Sequence, residues 1–583
     1  MNADWGIPRF TPSPYSRALG KVHVSQALGA HMSGIDDVDH DLTPVADSAA
    51  PSMSPSPGRR AAAVLPSVLA IGFFVAFSIV VLHRAEKMIE PDPYAYRASI
   101  AALENGDLTL DQQQYDALSL KLQATPLGGG IMQWHQNDDG QWVSEKNPGY
   151  PFLAVGFNEI GALRLAPLFY GALACLAMWF GARRWLGRWG GTFAVGAYCS
   201  TALAMIMAWR STMPTFTDAS LVATGLGLLI WSAVAVDRSL RARTIVGAAA
   251  FFSFGLAVFV RYTNIVVLAV AALFALALCL RPIWRLGWTT LVWWALAALP
   301  PIIASLAYNA MVFDGPFSTG YKASTVQFSS GAIPDNLRLM PGRLWQAMPV
   351  FVIGLVSIGV LLVVQITHAL RSRRSSDDAV DPPRDAAVAA SPATDIAPTS
   401  TTVDRWIGAL LVLAWAAVWA TYSAYEWTTR MGVGPAPGSG RNGPAGIVGG
   451  LGGAMGTIAT DSTQTVYSTV RFYLPALGAI ALLVAWLLTR LPAVIGVVLL
   501  IALFLFGTHE FLDVSGDRWA STPMGGGGAA RSGQVGPGPS GGPGFPGAPS
   551  GPNGSGAGSR GSGGPPGVGG APSPIAPVPG ATP

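Results

Sequence analysis

Apolar residues in this chain come in long runs cut by short polar turns. The run Ala61 to Leu82 supplies about 20 apolar residues, enough to cross a hydrocarbon core of about 30 Å as a helix. Comparable runs predict spans at 162–182, 190–209, 219–236, 288–310, 347–367, 406–423, 472–489 and 491–508. The stretch Ile245 to Leu280 is too long for one span and is interrupted by Arg261-Tyr262-Thr263-Asn264. A charge at mid-bilayer costs roughly 3 kcal/mol. The stretch therefore reads as two helices with Arg261 at the outer interface, and the total comes to about eleven spans.

The polar segments set the orientation. Arg59-Arg60, Arg183-Arg184, Arg188, Arg238, Arg243, Arg281, Arg285, Arg371, Arg373 and Arg374 all fall on one side if residues 245–280 form two spans, and that side is cytoplasmic by the positive-inside rule. The expected layout is a disordered cytoplasmic tail at 1–60, a membrane core at 61–367 with outer loops 83–160 and 311–346, and a cytoplasmic linker at 368–405. Terminal helices follow at 406–508, then a Gly/Pro-rich extracytoplasmic tail at 509–583. The outer loop 83–160 is acidic and should hold short helices. No early apolar core marks a cleavable signal peptide, so the first run is expected to act as an uncleaved anchor.

Composition agrees. The chain is 51% hydrophobic and only 12% charged, with a mean hydropathy of +0.41, whereas soluble domains carry about 25% charged residues. A net charge of +4 is too small to argue for nucleic acid. Cys175, Cys199 and Cys279 sit in apolar runs and read as small buried side chains rather than a disulfide framework or a zinc site.

Chemistry, if present, belongs to the outer face, where the long acidic loops lie. Glu90-Pro91-Asp92-Pro93-Tyr94-Ala95-Tyr96-Arg97 follows the first span, and an Asp there can act as general base toward an acceptor hydroxyl. The same Asp-Pro pair also suits a helix N-cap and first position. Arg210 to Asp218 forms a second outer loop, where Asp218 or Thr217 would serve as a cap and Arg210 as an interfacial anchor. Arg261 suits a lipid-linked phosphate, or simply an ion pair with an outer carboxylate. Tyr308-Asn309 and Gly320-Tyr321-Lys322 lie in a third outer region. Arg471-Phe472-Tyr473-Leu474-Pro475 opens a late span, as ordinary interfacial anchors also do. Each residue has a plain structural explanation. Their clustering on one side, from five places in the chain, is what points to a site. Two carboxylates with no histidine do not define a metal site, so a divalent cation is left open.

In this order the elements resemble the GT-C superfamily of polytopic membrane glycosyltransferases, which includes protein O-mannosyltransferases, aminoarabinose transferases and oligosaccharyltransferases. The resemblance covers residues 61–325 and, less closely, 465–490. Glu90-Pro91-Asp92-Pro93-Tyr94 matches the acidic motif of the first outer loop, where the usual Asp-Glu pair is replaced by Glu-Pro-Asp. Pro148-Gly149-Tyr150-Pro151 matches a segment before the second span, Pro214 and Asp218 the second outer loop, and Arg261 a basic residue between the fifth and sixth spans.

The resemblance implies an all-α GT-C-like fold and an inverting transfer of one hexose or pentose from a polyprenyl-phosphate donor. The acceptor would be a hydroxyl of a cell-envelope glycan, glycolipid or protein. Asp92 would be the base, and Asp218 would orient the acceptor or help hold a cation. Arg261, with Arg210 or Arg471, would stabilise the phosphate leaving group. Glu90, Tyr94, Tyr96, Arg97, Tyr150, Tyr321 and Tyr473 would complete the substrate site. The Gly/Pro-rich tail holds no large folded domain, which favours single-sugar over en bloc transfer. The competing readings are a transporter or flippase for lipid-linked glycans and a non-catalytic cell-wall assembly scaffold. The expected location is the cell membrane, as a multi-pass protein.

Overall fold

The apolar runs fold as helices, the conformation in which a lipid-facing segment satisfies its own backbone groups. The computed structural model describes residues 57–86, 91–122, 131, 133–281, 284, 286–321, 328–377, 400–430 and 463–518. Most of the expected tails (1–60 and 509–583) and of the linker 368–405 lies outside the described residues, as do residues 431–462. Two units are distinguished. Met1–Val68 contributes only the first turns of α1 to the described residues, and Leu69–Pro583 carries everything discussed below.

The membrane-entering helix is α1 (Pro57–His83). The segment expected on the outer face follows, with α2 (Pro91–Glu104), α3 (Gln112–Lys121), strands β1 (Trp134–Gln136) and β2 (Trp142–Ser144), and α4 (Gly149–Glu159). The main bundle comprises α5 (Ala166–Leu186), α6 (Arg188–Cys199), α7 (Ala202–Trp209), α8 (Thr215–Val234), α9 (Leu240–Val260), α10 (Ile265–Leu280) and α11 (Trp288–Val312). It continues through α12 (Ile333–Ala347), α13 (Val350–Asp377), α14 (Ser400–Ser423), α15 (Trp427–Arg430), α16 (Thr463–Val470), α17 (Leu477–Leu488) and α18 (Ala493–Asp513).

Among the described residues, 10 helices are long and apolar enough to cross a membrane, and 11 if α6 and α7 count as one bent span. The protein is thus an all-α multi-pass membrane protein, with the span number that the apolar runs predict. Among the boundaries that differ from expectation, two stand out. The run 190–209 is two helices meeting at 64°. Ser200 Oγ bonds back to the Gly196 carbonyl at 2.5 Å, and Thr201 Oγ1 accepts from the Ala204 amide at 3.2 Å to cap α7, so two hydroxyl residues break the ladder. The eighth span continues to Asp377 and takes in part of the expected linker.

Burial sorts the helices. Nearly all of α8 and α17 is buried, whereas α1, α11, α13 and α18 expose Ile71, Trp293, Leu362 and Val494 on what is therefore the lipid side. Small residues let inner helices touch. A Cβ on Gly181 of α5 would collide with the Gly227 carbonyl of α8, the close backbone approach typical of membrane helix pairs. At the end of the bundle opposite the site, Asp404 of α14 accepts from Trp185 Nε1 at 2.8 Å, Trp486 Nε1 at 3.1 Å and Arg490 Nη2 at 2.6 Å.

The outer segment holds a hairpin that the polar pattern alone did not announce. Trp134 pairs with Ser144, His135 with Val143 and Gln136 with Trp142. Its turn is closed by Asn137 Oδ1 accepting from the Gln141 amide at 2.9 Å and by Gly140 at φ 75°. Tyr115 of α3 stacks on Trp142 with ring centroids 3.8 Å apart. Helix α4 then lays Gly149 directly against the Phe259 backbone, where any side chain would collide. This contact sets the outer segment onto the end of α9, next to Arg261.

Candidate functional site

Helix α2 starts at Pro91, so Asp92 lies inside the first turn and its side chain is not spent as a cap. The carboxylate turns away from its own helix. Oδ1 accepts from Lys146 Nζ at 3.0 Å and Gln133 Nε2 at 2.7 Å, and Oδ2 accepts from Arg471 Nη2 at 2.6 Å. Burial pushes the Asp92 carboxyl up, but the Lys146 ammonium, the Arg471 guanidinium and the Gln133 hydrogen bond outweigh it and hold the group well below the usual carboxylate range. For Lys146 the balance is reciprocal. Burial favours the neutral amine, and Asp92 outweighs burial and raises the group above its ordinary value.

Gln133 reaches Asp92 from a left-handed backbone, at φ 67°. For a non-glycine residue this conformation costs about 1–2 kcal/mol. The hairpin sustains it through the Glu145 amide, which donates to the Gln133 carbonyl at 2.9 Å. Among the described residues, the side-chain Oε1 of Gln133 is buried without a hydrogen-bond partner.

Asp218 anchors a second pair. It sits in the first turn of α8, past the cap position at Pro214, and is fully buried. Asn264 Nδ2 donates to its Oδ1, and Arg261 Nε lies 3.5 Å from its Oδ2. Arg261 occupies the extended residue between α9 and α10, the break that its charge predicts. Its Nη2 donates to Thr215 Oγ1 at 3.3 Å, and the Tyr422 hydroxyl lies against the same guanidinium. Asn264 also reaches the Ala257 carbonyl at 3.0 Å and so locks the break.

Phe472 joins the two pairs. The Arg261 guanidinium carbon lies 5.6 Å and that of Arg471 5.0 Å from its ring centroid, within range of a cation–π contact. Tyr422 and Tyr425 flank the same ring at 5.5 Å and 4.9 Å. Lys146 Nζ lies 5.5 Å from the Tyr321 ring. A Cβ on the neighbouring Gly320 would strike the Glu145 backbone, so the loop carrying Tyr321 runs tight against the strand end that leads to Lys146.

The structure thus brings Asp92, Asp218, Arg261, Tyr321 and Arg471 together, and treats the other expected residues differently. Tyr96 lies one turn after Asp92, buried, with its ring edge-on to Tyr150 at 6.1 Å. Tyr150 donates its hydroxyl to the Ser211 carbonyl and supports the second outer loop. Arg210 is buried in that loop, which Glu86 grips through Ser211 Oγ and through Thr212 Oγ1 at 2.9 Å. Tyr473 is buried behind the site against Trp419 and Tyr422. Tyr94 packs into the hydrophobic cluster under the hairpin, and Arg97 is exposed on another face of α2. Glu90 lies outside the described residues.

Sequence reasoning missed Lys146, Gln133, Asn264, Phe472 and Tyr422. Lys146 stands two residues before Pro148-Gly149-Tyr150-Pro151, and Phe472 inside the Arg471 motif, so both were within reach. Gln133 had no signal, because its role depends on the hairpin. Among the described residues, no three His, Cys, Asp or Glu side chains gather in a way that would hold a metal ion.

No protein-family model and no curated protein matches the chain. Among solved structures it is similar to ArnT from Cupriavidus metallidurans bound to undecaprenyl phosphate, with 16% identity and a TM-score of 0.39, over 77% of this chain and 64% of that one. The apo form of the same protein gives 17% identity and a TM-score of 0.38, over 80% of this chain and 78% of that one. The chain therefore spans less than two thirds of the first of these.

Proposed function

We propose that the protein is a membrane glycosyltransferase that moves a single sugar from a polyprenyl-phosphate donor to an acceptor hydroxyl at the outer face. One observation carries this reading: Asp92–Arg471 and Asp218–Arg261 converge on the Phe472 ring, with Lys146 bonded to Asp92. Three cations face two carboxylates, so the cluster carries one positive charge in excess. An anionic phosphodiester at the membrane surface matches that excess.

In the proposed reaction the acceptor oxygen attacks the anomeric carbon in line. The bond from that carbon to the phosphate oxygen breaks, the electron pair leaves with the polyprenyl phosphate, and the configuration inverts. Asp92 takes the acceptor proton. While paired with Lys146 and Arg471 it is a weak base. As charge grows on the leaving phosphate, these cations turn toward the phosphate, and the carboxylate gains basicity when it is needed. Arg261 stabilises the same charge, and Asp218 holds Arg261 in place. The acceptor would be a hydroxyl of a cell-envelope glycan, glycolipid or protein, the N-terminus would lie in the cytoplasm and the C-terminal tail outside.

The test is transfer by purified protein in lipid, with radiolabelled polyprenyl-phosphate sugars, a cell-envelope extract as acceptor, and Asp92→Asn alongside. Transfer by the wild type and a loss of about 10²–10⁴ in the folded variant is the expected outcome. No transfer by the wild type with any donor would shift the reading to a transporter of lipid-linked glycans.

A further inference from the structure

Gln133 has an amide whose two ends are in different states. Nε2 is committed to Asp92 Oδ1 at 2.7 Å, and because a carboxylate accepts only, the amide cannot be turned round. That fixes Oε1 as an acceptor, and Oε1 is buried with no partner. A buried acceptor left unsatisfied is costly, and so is the left-handed backbone that presents it. Both costs fall on a residue that touches the carboxylate assigned to the reaction.

We propose that Gln133 reads the transferred sugar, its Oε1 accepting a hydrogen bond from a ring hydroxyl next to the anomeric carbon. The assignment rests on the transferase reading. With the acceptor oxygen held by Asp92 and the anomeric carbon in line with it, Gln133, which bonds the same carboxylate, is the amide placed to meet the hydroxyl beside that carbon. Fixed polarity gives selectivity. A hydroxyl or amino group satisfies Oε1. A deoxy sugar leaves it bare, and a fluorine of similar size cannot donate.

The experiment uses the full chain in lipid nanodiscs, with a polyprenyl-phosphate hexose and its mono-deoxy and mono-deoxyfluoro analogues on the same carrier. Binding is read from ligand-induced shifts in thermal unfolding, and transfer from radiolabel. Wild type should prefer the parent over the deoxy and fluoro analogues at the carbon next to the anomeric one by on the order of 10–100-fold in kcat/KM. Gln133→Met, which keeps the length but removes the amide, should treat parent and analogues alike. Gln133→Asn serves as the folding control, because Asn tolerates a left-handed backbone well but falls one methylene short; it too should lose the discrimination while melting as wild type does. If wild type binds and transfers but Gln133→Met keeps the full discrimination, the Gln133 assignment falls and the transferase reading stands. If wild type binds no member of the series, both fall. A role limited to holding a buried water or orienting Asp92 would lower turnover equally for every analogue, and that outcome also overturns the proposal.

Discussion

Arg471 donates to the Asp92 carboxylate at 2.6 Å although 379 residues separate the two. The contact ties the outer segment that follows α1 to the residues that lead into α17, and Lys146 closes the same carboxylate from a third place at 3.0 Å. Substituting Arg471→Ala leaves Asp92 with one cation and removes a charge facing the expected phosphate. Transfer should fall by about 10²–10³-fold, as for loss of an oxyanion-stabilising donor. Arg471→Lys should recover part of it. Equal activity in wild type and Arg471→Ala, measured per folded molecule, would dissociate this pair from the chemistry.

The same cluster fixes a pH response. The Asp92 carboxyl is depressed in the folded protein, so its contribution to stability is present above the unfolded value of about 3.9 and is lost as pH falls through the lower folded value. Lys146 is raised, so its contribution is present below about 10.4 and is lost only as pH climbs through a higher folded value. The gap in melting temperature between wild type and Lys146→Met should therefore stay constant from pH 5 to pH 9. A gap that closes between pH 5 and pH 7, in thermal scans at matched ionic strength, would mean that Asp92 is not held ionised by these partners.

Much of this arrangement was legible in the sequence. The break at Arg261 follows from the cost of a buried charge, and the pairing of Arg261 with an outer carboxylate was foreseen as the simpler explanation of that charge. It now coexists with the functional one, since the partner is Asp218 of the site itself. Asp92 and Asp218 each fit a helix cap, and that local rule failed at both positions because cations distant in sequence, Arg471 at 379 residues from Asp92 among them, claim the carboxylates. Tyr150 and Tyr473 looked like sugar-facing aromatics. They support the site from behind, a distinction that depends on which side of a helix meets its neighbours and not on residue type. Gln133 was invisible, since only the hairpin gives it its backbone angle.

Asp218 is fully buried, and both its oxygens face polar partners. Removing one member of a buried charge pair costs about 3–5 kcal/mol, because the other is left uncompensated. Asp218→Ala should unfold at a clearly lower temperature and lose transfer, and the double variant Asp218→Ala/Arg261→Met should regain stability without regaining transfer. If the single variant melts as wild type does, the pair is not formed in the membrane.

Gly149 meets the Phe259 backbone with no room for a Cβ. The contact sits two residues from Arg261, so a methyl group there must displace either α4 or the end of α9. Overpacking of this kind costs about 1–3 kcal/mol. Gly149→Ala is expected to reduce transfer more than its loss of stability explains, through displacement of Arg261. Activity normalised to the folded fraction checks this: an unchanged value would show that the contact holds the fold and not the site.

Asp404 provides the contrasting case at the other end of the bundle. It joins α5, α14 and α17 through two indole donors and one guanidinium, and it stands at the start of α14, whose other end carries Tyr422. Asp404→Ala strands the buried Trp486 donor and the half-buried Trp185 donor, a loss of about 2–3 kcal/mol by the usual worth of hydrogen bonds to a charged group. Arg490 is substantially exposed and adds little after screening. The variant should therefore melt early yet transfer normally per folded molecule. Asp404→Asn, which keeps one acceptor, should fall between the two. A transfer defect in folded Asp404→Ala protein would mean that the two ends of the bundle are coupled through α17, whose Trp486 bonds Asp404 at one end and whose other end continues from Arg471.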